Sequence, residues 1–223
     1  MMPMKNRHTI ITLLTTALLC LSCPYTMAEG GIKGWFQGLF GRNTEEIGTT
    51  AHPDLAALTV DENLEIPEIP KKKREQVLDL QRQESKRLKS INGYKVESFR
   101  YNEIIRITIP AAKLFAPNDT TLAPSADKLL RPLLQCLRTP DYYHMLLVMH
   151  SDDTGNTAYN YSLTTQRVLD IFNWFERNGA VTDFLIPYAA GSLEPLVPNN
   201  STDNRSRNRR LEIYLIPGEA MFK

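Results

Sequence analysis

His150-Ser151-Asp152-Asp153-Thr154-Gly155, with Tyr159-Asn160 and Leu163-Thr164-Thr165-Gln166-Arg167 after it, is the stretch that decides the reading of this chain. It follows the apolar run Met145 to Met149, which has the character of a central strand covered on both sides or next to one that is. Asp152 therefore falls in a loop at the carboxyl end of a strand, where open α/β sheets commonly hold ligands. Arg167 falls within the helix expected from about Ala158 to Asn178, whose inner face would carry Leu163, Val168, Ile171, Phe172 and Phe175, with Gly179 placed to cap its end. Each residue alone has an ordinary explanation: a turn carboxylate binding nearby N–H groups, and a solvated helix arginine. Together with Asn160 they form a set that can hold a small zwitterion, its ammonium on Asp152 and its carboxylate on Arg167. That describes a binding site and not a reaction centre.

Outward from this stretch the periodicity is that of one packed domain. Tyr94 to Arg100 and Ile104 to Ile109 alternate as two strands joined around Tyr101-Asn102-Glu103. Pro124 and Ser125 open a helix, with Ser125 as a favourable N-cap and Leu129, Leu130, Leu133, Leu134 and Leu137 facing inward. Pro132 should kink or split it, since proline cannot donate to the preceding turn. Phe184 to Ala190 reads as a short strand and Leu211 to Ile216 as the closing one. The fold class expected is α+β: a two-layer domain with a mixed β-sheet, helices packed on one face, and βαβ units with an added hairpin.

Ahead of the domain, at residues 91–217, stand three further parts. Residues 1–28 read as an export signal: Lys5 and Arg7, an apolar run from Ile10 to Leu21, and Thr26-Met27-Ala28 before the cut. Leu21-Ser22-Cys23 offers the alternative of lipidation at Cys23. Residues 29–70 are loop-like, rich in glycine and then proline. Trp35, Phe36, Leu39 and Phe40 within them could touch a membrane surface, or pack on the domain. Residues 71–90 read as a charged, mostly solvated helical spacer with a thin stripe of Val77, Leu80, Leu88 and Ile91. The roughly 60 residues between Ala28 and the domain are too few for a membrane barrel of eight strands of ~9–11 residues. A periplasmic or lipid-tethered protein is expected.

Composition removes several function classes. Lys and Arg number 26 against 25 Asp and Glu, so there is no basic excess of the kind that marks a nucleic-acid binder. Cleavage after Ala28 would leave Cys136 alone, among leucines, as an inert buried thiol. His150 has no second histidine at metal-ligand spacing, and no serine or cysteine sits in a nucleophile motif. Phosphate-binding glycine patterns are missing as well. Neither an enzyme, a metal site nor a cofactor is expected.

The motif His150-Ser151-Asp152, Gly155, Tyr159-Asn160, Leu163-Thr164, Arg167 continues through Gly191, Pro195 and Asn199 to Arg205, Asn208-Arg209-Arg210 and Leu211-Glu212-Ile213. In order and spacing, over about Phe115 to Pro217, it resembles the OmpA-like peptidoglycan-associating domain. Such domains occur in outer-membrane proteins and peptidoglycan-associated lipoproteins. The resemblance implies noncovalent binding of the diaminopimelate of the stem peptide, with Asp152 on its ammonium and Arg167 on its carboxylate. A guanidinium presents a planar fork suited to a carboxylate. Asn160 would both donate and accept, Ser151 stands for the usual threonine, and Arg209 is the second arginine near the site. Arg205 and Arg210 would brace loops. The chain departs from the pattern at Met149, Ala189 and Asn204, each in place of a glycine. At Ala116 the family often has an acidic residue, for which Asn118 or Asp119 could substitute. Those departures motivate an alternative, in which the same fold docks other envelope proteins without gripping the wall.

Overall fold

A computed structural model describes residues 69–138 and 142–222. The export signal, Cys23 and the Trp35–Phe40 cluster lie outside the described residues. The chain enters through a 3-10 turn at Lys71–Lys73 into helix α1, Arg74–Lys89. A hairpin follows, β1 at Lys95–Phe99 and β2 at Ile104–Pro110, turned through Arg100, Tyr101 and Asn102, all with positive φ. The turn is tied to α1, because Arg74 pairs with Glu103 at 2.7 Å and Gln81 Nε2 donates to the Glu103 carbonyl at 2.8 Å.

Next comes helix α2, a single turn at Asp127–Leu130 that passes into a 3-10 stretch at Arg131–Leu137 containing Pro132. The split expected at this proline is present, for the reason that the ring removes a donor. Ser125 does not cap α2; it lies inside a preceding 3-10 turn, Pro124–Ala126, which makes no side-chain cap bond. Strand β3 is Tyr143–His150, helix α3 is Thr157–Arg177, strand β4 is Leu185–Gly191, helix α4 is Thr202–Asn208 and strand β5 is Arg210–Pro217.

The sheet order is β1-β2-β5-β3-β4. Only β3 and β4 pair in parallel, through the crossover helix α3; every other pairing is antiparallel. The domain therefore holds one βαβ unit combined with a hairpin and a returning strand. All eight residues of β3 and all eight of β5 are buried, which is why their sequences run apolar without clean alternation. Helix side chains join one strand face in a single core: Val77, Leu88, Leu133, Ile171 and Phe175 pack with Ile107, Leu147 and Ile213. The mixed sheet with helices on one face is the architecture expected. No described helix is long and apolar enough to cross a membrane.

α1 differs from the solvated spacer expected. Val77, Leu78, Gln81, Ser85 and Leu88 are buried, so its inner stripe is part of the domain. Polar members disguise the stripe in the sequence. Gln81 donates through Nε2 to the Glu103 carbonyl, and Ser85 lies 3.5 Å from the Ser98 hydroxyl. Glu84 then links α1 to the Arg131–Leu137 stretch by accepting from the Cys136 thiol at 3.2 Å while bound by Arg87. Cys136 is a free, buried thiol whose pKa is pushed up by burial and then by the Glu84 charge, which makes it unreactive.

The opposite sheet face carries a buried ionic group. Glu212 accepts from Arg210 Nε at 2.7 Å and from the Tyr214 hydroxyl at 2.6 Å, with His150 Nε2 at 3.6 Å and Arg106 at 3.9 Å. Burial, and then the Arg210 charge, hold His150 down at about 4 from its usual 6.5. Glu194 is pushed up to about 8 from 4.5, by burial and then by Glu212. The folded protein thus binds fewer protons at His150 than the unfolded chain between pH 4 and 6.5, so stability falls as pH drops through that window. It binds more at Glu194 between pH 4.5 and 8, so stability falls as pH rises there. Where the windows overlap the two slopes oppose each other. The expected result is a urea midpoint that declines from pH 6.5 to 8, and whose decline disappears in Glu194→Gln. An unchanged decline in that variant would remove Glu194 as its cause.

Candidate functional site

The site forms where β3 ends, α3 begins and two loops close in. Ser151 continues the ladder past the strand, its N–H donating to the Gly191 carbonyl at 2.7 Å. Gly191 has φ +56, a left-handed conformation that strains a side chain, while a Cβ there would make ordinary contact with the Tyr161 nitrogen at 3.4 Å. Thr164 fixes the same junction. Its Oγ1 accepts from the Gly191 N–H at 3.2 Å and donates back to the Asn160 carbonyl at 2.9 Å. Asn156 caps α3 by accepting from the Tyr159 N–H at 2.8 Å.

Asp152 is 4 % exposed. Its Oδ1 accepts from the Thr154 N–H at 2.9 Å, and its Oδ2 is bound by Arg209 Nη1. Burial alone would raise its pKa, but the Thr154 N–H and the Arg209 guanidinium outweigh that and keep it below the usual carboxylate range. A carboxylate held below the usual range in this way is suited to an ammonium ligand. Arg205 braces the neighbouring residue through Asp153 at 2.9 Å, which fits the bracing role expected of it. Arg210 instead belongs to the buried group around Glu212, while also donating to the Glu194 carbonyl.

Arg167 is 5 % exposed and is held from the other side by the loop around residues 115–122, itself pinned by the Phe115–Leu122 bridge. Its Nε donates to the Asp119 carbonyl at 2.8 Å and an Nη to the Ala116 carbonyl at 3.3 Å. The guanidinium lies 4.8 Å from the centre of the Phe115 ring. Asp170, one turn further along α3, ties the loop again by accepting from the Leu122 N–H at 2.8 Å. Burial, with a contribution from the nearby Arg209 charge, lowers the Arg167 pKa. A partly desolvated cation beside a second cation is a setting that favours an incoming anion.

The predicted set is thus brought together in part. Asp152 and Arg209 are in contact, and Arg209 lies close enough for its charge to act on Arg167. Asp152 and Arg167 are not bonded to one another; Arg209 stands between their roles. Asn160 is buried, and its Nδ2 has no hydrogen-bond partner among the described residues, which leaves a donor available to a ligand. Ser151 is less available, since its hydroxyl donates to the Asp152 carbonyl at 3.1 Å. Asp119 contributes its carbonyl as a hydrogen-bond acceptor, while the carboxylate expected to replace an acidic residue at 116 acts on Arg167 through its charge. That carboxylate accepts from the Thr121 N–H at 2.9 Å.

Sequence reasoning gave no role to three contributors, although Tyr159 and Asn208 stand in the motif it quotes. Tyr159 is exposed beside Gly155 and Arg167 and forms a rim. The Ala116 and Asp119 carbonyls fix Arg167 through backbone atoms that no residue type reveals. Asn208 is fully buried, where it bonds the Val197 N–H at 3.0 Å and carbonyl at 2.8 Å and so staples the loop that delivers Arg209. Among the described residues no three His, Cys, Asp or Glu stand together as a metal set.

Residues 114–209 match the model of the OmpA family. Outer membrane protein A of Bordetella avium is 27% identical over 111 residues, covering 50% of this chain and 57% of that protein. Peptidoglycan-binding protein ArfA of Mycobacterium bovis is 24% identical over 101 residues, covering 45% of this chain and 31% of ArfA. The chain thus spans just over half of the first relative and under a third of the second. Among solved structures, a MotB-like protein from Desulfovibrio vulgaris superposes with a TM-score of 0.58 at 26% identity, covering 66% of this chain and 96% of that one.

Proposed function

We propose that this chain, whose residues 114–209 form an OmpA-family domain, binds peptidoglycan noncovalently and so anchors itself, or an assembly it belongs to, to the cell wall. The observation that carries the reading is one ionised, buried carboxylate and two arginines converging where β3, α3 and the segment before β5 meet. A relative that bears the name peptidoglycan-binding protein lends it support. The ligand is the diaminopimelate of the stem peptide. Its side-chain ammonium replaces the Arg209 guanidinium on Asp152, and its carboxylate meets Arg167, with Arg209 freed to share it. Asn160 Nδ2 supplies a neutral donor alongside. The two charges on the ligand are what select it: a site with both signs rejects simple cations and simple anions by leaving one of its own charges unpaired.

The protein works in the cell envelope, exported to the periplasm and held there by the wall, in keeping with relatives named as outer-membrane proteins and lipoproteins. Processed protein mixed with isolated sacculi tests the reading. It should cosediment, and Asp152→Ala or Arg167→Ala should each abolish cosedimentation while the circular dichroism spectrum is retained. Equal cosedimentation by both variants would defeat the site. Failure of the unaltered protein would favour docking to another envelope protein.

A further inference from the structure

The second face of the sheet is apolar around a charged centre, and no described helix contributes to its apolar cluster. Ile104, Leu146, Val148, Ala190, Tyr214 and Ile216 form a cluster drawn from strands alone, flanked by Phe99, Ile186 and Tyr188. These six side chains are nevertheless only 0–2 % exposed. The buried apolar side chains of the described helices, Leu78 apart, belong to the other core. The loop after β4 reaches the Arg210 end through the Glu194 carbonyl, and the Glu194 charge bears on Tyr188 at the edge of the cluster. On the same face Arg106, His144, Tyr188 and Tyr214 each interact beyond the contacts given above. A sheet face of this kind does not bury itself, and a monomer rarely leaves so large an apolar surface open.

We propose that the segment ahead of α1 covers this face, with Trp35, Phe36, Leu39 and Phe40 as its apolar anchor. Reach is sufficient. The 29 residues from Gly41 to Ile69 span up to ~100 Å when extended, while five strands are ~24 Å across. Chemistry argues against the other occupants. The centre of the face holds Arg106, Glu212 and Arg210, so immersion in hydrocarbon would strand ionic groups. A second copy would bring another sheet face, whose backbone donors and acceptors are already spent within its own ladder, to the polar centre. A peptide segment brings backbone donors and acceptors to the polar centre and aromatic rings to its apolar flanks, and so meets both demands.

The test uses the full processed chain with a benzophenone amino acid in place of Phe36. Irradiation of the monomer should cross-link position 36 to peptides of β3 or β5 within the same molecule, with or without phospholipid vesicles. Cross-links to α1 or α3, between two chains, or only to lipid would each overturn the proposal. Hydrogen exchange on the unaltered chain provides a measurement that needs no variant. Amides of residues 32–40 should exchange about tenfold or more slowly than in an unstructured peptide, independent of protein concentration. Exchange at the unstructured rate, or protection that grows with concentration, would also overturn it. Wall binding is unaffected by either outcome, since Asp152 and Arg167 lie apart from this face.

Discussion

Glu212→Ala should lower the unfolding free energy by about 3–5 kcal/mol, the range found when one member of a buried charge group is removed. The carboxylate sits at 4 % exposure between two arginines. It is bonded by Arg210 Nε at 2.7 Å and by the Tyr214 hydroxyl at 2.6 Å, with Arg106 at 3.9 Å. Burial opposes its charge, yet the Arg210 cation prevails and holds its pKa well below the usual value. Alanine removes the anion and leaves the positive charge of Arg210 buried beside that of Arg106. Glu97→Ala is the control. Glu97 also binds Arg106, at 2.7 Å, but its side chain is 32% exposed, so water can replace it and the cost should stay near or below 1 kcal/mol. Domains of this size are stable by only about 5–15 kcal/mol, so the first substitution should move a urea midpoint visibly and the second barely. A loss below about 1 kcal/mol for Glu212→Ala would mean that water reaches the group and that it is not a buried ionic centre.

The layout of the strands and of α3 is legible because each carries a period that burial enforces. Met145 to Met149 reads as a central strand, and all five of its residues are buried in β3. α1 is legible as a helix but not as part of the domain, because its inward stripe includes Gln81 and Ser85, whose partners come from the β1–β2 hairpin. Burial of a polar side chain is decided by a distant acceptor, and a single-sequence pattern has no means of seeing one. α4 was missed for another reason. It spans only seven residues, although Ser201 with Asp203 in the first turn is a readable start, and the Ser201 hydroxyl does accept from the Asn204 N–H at 3.1 Å. At the candidate site the spacing identified Asp152, Asn160, Arg167 and Arg209 as belonging together. It did not reveal that Arg209 occupies Asp152 directly, nor that Arg167 is gripped by carbonyls 48 and 51 residues away in sequence. Backbone acceptors leave no trace in residue identity, so the geometry that orients a side chain stays hidden where the side chain itself is plain.

That orientation leads to the other large effect, on binding. Arg167→Lys keeps the charge but should weaken binding of a diaminopimelate-containing muropeptide by about 100-fold, or 2.7 kcal/mol, in a calorimetric titration. The reason lies in how the guanidinium is used. Two of its nitrogens are committed to the Asp119 and Ala116 carbonyls, and its face rests on Phe115, so it is fixed before the ligand arrives. A lysine ammonium cannot bond both carbonyls and still present a planar donor edge to a carboxylate. Arg209→Ala should cost far less, within about fivefold, because the arginine must leave Asp152 for the ligand ammonium to enter. Loss of its contact with the ligand carboxylate is offset by the ion pair that no longer has to break. A muropeptide carrying lysine in place of diaminopimelate keeps the ammonium and lacks the carboxylate. The unaltered protein should therefore bind it about 100-fold more weakly, and Arg167→Lys should no longer distinguish the two ligands. If Arg167→Lys still prefers the diaminopimelate ligand by the full factor, some other group reads the carboxylate, and the role assigned to Arg167 fails.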